Sequence, residues 1–146
     1  MSLSVVFIYP NKISFEDIQH VIKGNIIHRS YQYKSTSYTV ENKDGYVSLD
    51  LVEQYREEYI ADYLDDENIF PELKQSLFHS DIICFYYNSP ALLNEILQVL
   101  LSQLKNHISD IWIDNDNAEI YPGSYILEEL SHNRLWNIQQ IKNGKL

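Results

Sequence analysis

The 146-residue sequence has one cysteine, Cys84, so it can form no disulfide within the chain and no cysteine-rich zinc site. Four glycines and four prolines leave little for a long linker or a low-complexity stretch. Basic residues are scarce as well. There are 11 Lys and Arg against 21 Asp and Glu, with no basic run, a balance that repels nucleic acid. Nowhere do about 20 apolar residues run together, so no membrane-spanning helix is expected. The opening MSLSVVFIYPNK has no basic segment ahead of its apolar run, and Val5 to Tyr9 is too short for the core of a signal peptide. No G-x-S-x-G, Gly-rich phosphate loop or H-E-x-x-H occurs. His20, His28, His79, His107 and His132 never pair at i+3 or i+4, so no helical metal clasp is written in the chain. The expectation is a cytoplasmic chain that needs no cofactor and no metal and is not an enzyme.

What is present reads as one α+β domain over residues 1–146. LSVVFIY and DIICFYY are short runs rich in β-branched and aromatic residues, the signature of buried strands. Ser14, followed by Asp17 and a helical recurrence of Phe15, Ile18, Val21 and Ile22, predicts a capped helix that Gly24 ends. Two strands follow, around Tyr31 and Tyr33 and then Tyr38. NKDG carries a turn signal before a further strand, YVSLDL. Helices are expected over Leu51–Asp66 and Phe70–His79. Ser89 and Pro90 open another, in which Leu93, Ile96, Leu97, Leu100, Leu101 and Leu104 form one stripe. DIWID and AEIY read as strands, and Ser124 opens a last helix, while residues 132–146 read as either helix or strand. The order is β-α-β-β-β, helices, then β-α-β-β-α. It predicts a mixed or antiparallel sheet with helices packed mainly on one face.

The segment EQYREEYIADYLDDE, Glu53 to Glu67, holds seven carboxylates, three tyrosines and one arginine. Its net charge of −6 is more than half of the −10 carried by the whole chain. On a helix, Tyr55, Tyr59 and Tyr63 form a ridge, and Glu58, Asp62 and Asp65 gather on the other flank. Like charges at that spacing oppose the helix, and Asp65 and Asp66 sit where the macrodipole disfavours anions. A solvated face with its tyrosines packed inward explains the pattern blandly. An anionic docking face explains it sharply, since tyrosine is enriched at protein interfaces. The charge of the whole chain and the missing catalytic motifs favour docking.

A second acidic spot lies in DNDNAEIYPGSY. It looks briefly like a calcium loop, but with Asp114 first, its sixth position is Glu119 rather than Gly and its twelfth is Tyr125 rather than Glu. It reads better as a polar turn held by Asx hydrogen bonds, presenting Asp114, Asp116 and Glu119. Cys84, inside an apolar strand, reads as a buried inert thiol.

Small size, acidity, a lone cysteine and an α+β pattern, together with IWIDNDNAEIYPGSYILEEL at Ile111–Leu130, give a chain that resembles the immunity proteins of bacterial toxin–immunity systems, such as those of contact-dependent growth inhibition. The quoted segment covers about a seventh of the chain. The resemblance implies a cytosolic inhibitor that binds a cognate toxin domain, often a nuclease, and occludes its active site; no family residue is carried over to a position here. A nuclease is basic around its substrate groove, and an acidic face suits that groove. The partner-binding candidates are therefore Tyr55, Glu58, Tyr59, Asp62, Asp65 and Asp66, with Asp114, Asp116 and Glu119 as a second set. Neither nucleic acid nor membrane is expected as a partner, and the tyrosine content leaves a homodimer open. The alternatives are another acidic binder, such as a nucleic-acid mimic or adaptor, and a small hydrolase whose carboxylates meet only in the fold.

Overall fold

The computed structural model describes residues 3–116, 119–134 and 136. Seven strands form one sheet in the order β2-β3-β4-β5-β1-β6-β7, and every neighbouring pair is antiparallel. They are β1 (Leu3–Pro10), β2 (Arg29–Tyr31), β3 (Ser37–Asn42), β4 (Gly45–Leu51), β5 (Ser80–Tyr87), β6 (Trp112–Asp114) and β7 (Ile120–Pro122). The helices are α1 (Phe15–Asn25), α2 (Arg56–Asp65), α3 (Pro71–Ser76), α4 (Pro90–Gln103) and α5 (Gly123–Ser131), with 3₁₀ turns at Leu77–His79 and Lys105–Asp110. The chain is α+β, and its element order is the expected one.

The sequence pattern explains the layering. A strand covered on both faces is apolar throughout, and one covered on a single face alternates. β1 and β5 are of the first kind over most of their length, Ser4 and Tyr86 at one end excepted. They pair over eight residues at the centre of the sheet, Leu3 opposite Tyr87 through Pro10 opposite Ser80. β3 and β4 are of the second kind, with Tyr38, Val40, Val47 and Leu49 buried and Thr39, Ser48 and Asp50 on the other face.

On the first face, Val5, Phe7, Ile83, Phe85 and Ile113 meet the apolar stripes of α1, α4 and α5 in the larger core. Leu93, Leu97, Leu100 and Leu101 of α4 are fully buried there; each contributes roughly 1.5–3 kcal/mol by leaving water. On the second face, Val6, Ile8, Ile82, Cys84 and Trp112 meet Ile60 of α2 and Ile69, Leu73 and Leu77 around α3. Most of the helical cover is thus on one face, as expected, while α2 and α3 make a smaller second layer.

Local signals act where they were read. Ser14 accepts from the Asp17 N–H and Asp17 accepts from the Ser14 N–H, a reciprocal capping box. The Ser89 hydroxyl accepts from the Leu92 N–H at the start of α4, with Pro90 in the first turn. Two expectations need correction. α2 begins at Arg56 rather than Leu51, because Leu51 stays in the ladder opposite Ile83 and the Val52 N–H donates to the Ile82 carbonyl. β2 ends at Tyr31, so Tyr33 lies beyond the strand expected to hold both. Of the C-terminal stretch left as helix or strand, 135 and 137–146 lie outside the described residues.

Candidate functional site

α2 is poorly secured as an isolated helix. Its N-cap, Tyr55, makes no side-chain cap, and Ile60 is its one buried residue. Tyr59 and Tyr63 hold it to the sheet. The Tyr59 hydroxyl lies 3.4 Å from the Cys84 sulfur, and the Tyr63 hydroxyl donates to Asp114 Oδ2 at 2.6 Å. Tyr55, by contrast, is 54% exposed. The tyrosine ridge therefore packs over two of its three members, which is the bland part of the sequence reading.

The carboxylate flank is solvent-facing. Glu58, Asp62, Asp65 and Asp66 are all exposed. Arg56, the cation of this helix, is turned to the sheet, where it donates to the Ser80 carbonyl and pairs with Asp81 at 3.6 Å and with Glu57 at 3.4 Å. The other ion pairs among the described residues lie at α5, Arg134 with Glu129 and His132 with Glu128. No described cation therefore lies within ion-pair distance of Glu58, Asp62, Asp65 or Asp66, or of Asp114, Asp116 and Glu119.

Two sets that are far apart in sequence meet here. The end of α2 and the turn after β6 border one recess of about 360 Å³, lined by Tyr63, Asp66, Phe70, Asp114 and Asp116 among others. Each carboxylate is fixed by neutral donors. Asp114 accepts from the Tyr63 hydroxyl and, at its other oxygen, from the Asp116 N–H at 2.8 Å. Asp116 accepts from the Ser4 hydroxyl at 2.6 Å, and Asp66 from the Asn68 N–H at 2.8 Å. Asp116 adopts a φ of 59°, a left-handed conformation that Asp tolerates better than most residues. The Asx turn expected from the sequence is thus present. Burial raises the Asp114 pKa above the ordinary carboxyl value; the bonds from Tyr63 and Asp116 lower it again, and the Asp116 charge adds to the rise. Burial, then the Asp114 charge and hydrogen bond, hold the Tyr63 hydroxyl protonated far above its usual range. Glu119 stands apart from this recess. Its N–H and carboxylate bond Asn115, and its other oxygen accepts from Tyr121.

Sequence reasoning passed over Phe70, which is 44% exposed on the rim, and Ser4, which joins Asp116 across 112 positions. Ser4 shares a strand face with Val6 and Ile8, a local signal for its side of the sheet, but nothing local foretells its partner. It also passed over the uncovered half of the second face. There, Tyr31, Thr39, Ser48, Tyr86 and Ser4 stand opposite one another across five strands. Tyr31 and Tyr86 are about two-fifths exposed, and Tyr86 lines a shallower recess with Asp50, Tyr55 and Tyr59 among others.

Among the described residues no three His, Cys, Asp or Glu side chains are placed to hold a metal ion, and no helix is long and apolar enough to cross a membrane. Cys84 is buried, and burial raises its pKa, which disfavours the thiolate. Comparison with family models, with curated proteins and with solved structures returned no match.

Proposed function

We propose that this protein is a non-catalytic inhibitor of the immunity-protein kind, which binds a cationic protein domain through the acidic, tyrosine-bearing layer on the second face of its sheet. The observation that carries the reading is the uncompensated charge. Glu58, Asp62, Asp65 and Asp66 run along an exposed flank, continue into Asp114 and Asp116, and meet no described cation. A face of one sign raises the encounter rate with an oppositely charged groove and excludes like-charged partners. Exposed Tyr55 and Tyr86 supply rigid contact area beside it. A toxin domain that binds nucleic acid has such a groove, and carboxylates seated in it would replace phosphates. The cytoplasm, where such a toxin would act, is the location this reading assigns to the protein.

The test uses the wild-type chain and the variant E58K/D62K/D65K as baits in parallel. A basic partner retained by the wild type, released by raised salt and lost by the variant is the expected result. A partner held equally by both removes this face from the account.

A second reading has one observation in its favour: Asp66, Asp114 and Asp116 share a recess, and the Asp114 pKa is raised. A carboxylate-dependent hydrolase needs such a group. Both Asp114 oxygens, however, already accept hydrogen bonds that favour the ionised form, which suits a fixed charge better than a proton donor. Hydrolysis of nitrophenyl glycosides or phosphodiesters, lost in Asp114→Asn, would establish this reading instead.

A further inference from the structure

We infer that β2 is a dimer edge, where two copies of this chain pair their β2 strands antiparallel about Ser30 and join their sheets into one.

β2 ends the strand order, so among the described residues no strand lies on its outer side. The opposite edge, β7, finishes on Pro122, which has no N–H to offer. β2 has no such block, and all three of its residues are exposed. The ladder fixes which of its backbone groups are free. Tyr46 spends its C=O on the Asn88 N–H and its N–H on the Asn88 side chain, so Gly45, Val47 and Leu49 are the residues of β4 that turn to β3. Asn42, Val40 and Tyr38 oppose them, which leaves Thr39 and Glu41 to bond Tyr31 and Arg29. Ser30, between those two, turns its N–H and C=O outward.

That fixes the two-fold on Ser30 and with it the contacts. Arg29 of one copy falls directly opposite Tyr31 of the other, at the closer kind of antiparallel pair, so a guanidinium meets an aromatic ring twice. Beyond the strand ends, the same symmetry brings Ile27 toward Tyr33 of the other copy. These are the two most exposed large hydrophobic residues described, at 97% and 87%. A surface that matches itself in this way selects a second copy over a foreign strand. The charge pattern agrees. From Lys23 to Lys43 the chain has four basic residues and one acidic residue, Glu41, so a copy meets no acidic wall here. α2 packs over β5, β1 and β6. In the joined sheet seven strand spacings separate β5 of one copy from β5 of the other, roughly 34 Å, well past the Debye length of about 10 Å at 0.1 M salt. The acidic layers of both copies stay uncovered, on the same side of the sheet.

The experiment is sedimentation equilibrium of the whole protein over a range of concentrations, at low and high salt. A reversible dimer is expected, and salt should strengthen it, because it screens the repulsion between two chains of net charge −10. Capture of a cationic partner has the opposite salt dependence. S30P removes the outward N–H without touching the ladder to β3, and should be monomeric with the wild-type thermal midpoint. I27S/Y33S changes only exposed side chains and should weaken the dimer several-fold. Under mild oxidation S30C should cross-link two chains, since opposed residues of an antiparallel pair lie within disulfide reach. K105C, on an exposed turn away from this edge, should not, and the native Cys84 is buried. A protein still monomeric at about 1 mM, a dimer that persists in S30P, a dimer dissolved by salt, or S30C cross-linking no faster than K105C overturns the inference. Should S30P fail to fold, S30C and I27S/Y33S decide it.

Discussion

Asp114 sits where three demands on one carboxyl conflict. Burial favours its neutral form, while Tyr63 and the Asp116 N–H favour its ionised form, and the net direction is a pKa above the ordinary value. A carboxyl raised in the folded state stabilises the fold only while protonated. Its contribution is fully present below the unfolded pKa, near 3.8, and is lost as pH rises through the higher folded value. At neutral pH the ionised Asp114 therefore works against stability. Asp114→Asn is expected to raise the urea midpoint at pH 7 relative to wild type, with the gain vanishing in acid of about pH 3, where both states bind the proton. Urea melts of the two proteins across that range check this. A variant less stable than wild type at pH 7 would show that the bonds from Tyr63 and Asp116 outweigh burial.

Among the elements, the hairpin of β3 and β4 and the start of α4 depend on each other through Gly45. Its φ of 141° is reached easily by glycine alone. A Cβ there would stand 2.3 Å from Asn88 Oδ1, the atom that accepts from the Tyr46 N–H, and 2.9 Å from Ser89 Cβ, the N-cap of α4. Gly45→Ala is expected to cost about 1–3 kcal/mol, read as a lower thermal midpoint. Glycine after NKD was legible as a turn residue; its contact with Asn88, 43 positions on, was not. The same division holds elsewhere. Caps and stripes, as at Ser14, Ser89 and the α4 leucines, depend on neighbours within a turn or two, so the sequence displays them. The start of α2 was misplaced because Leu51 looks equally at home in an apolar helix turn and opposite Ile83 in a strand. At the site, the exposure of Glu58, Asp62 and Asp65 followed from helical spacing alone. The meeting of Asp66 with Asp114 and Asp116 required strand pairings with no local trace, and so did the recruitment of Phe70 and Ser4.

On the scale of the whole molecule, charge and topology set the behaviour of the free protein. A net charge of −10, with an acidic flank that no described cation neutralises, makes self-repulsion a standing penalty on the compact state. Added salt screens it within a Debye length of about 10 Å at 0.1 M. The thermal midpoint should therefore rise between low and moderate salt. In E58K/D62K/D65K, whose net charge falls from −10 to −4, the rise should be smaller. Equal salt dependence in the two proteins would show that these carboxylates repel little in the folded state. Such a result would weaken the case that they await a partner.

The first strand of the chain lies in the middle of the sheet, between the fifth and the sixth. Phe7 must wait for Ile83 on one side and Ile113 on the other before its backbone is paired. On a ribosome, this apolar segment is made before either of its mates and stays unpaired until Ile83 and then Ile113 have followed it. Long-range pairing of this kind is slow, on a scale of milliseconds to seconds. Stopped-flow refolding should accordingly fall in that window, and nascent chains halted before Ile113 should be bound by a holdase rather than folded.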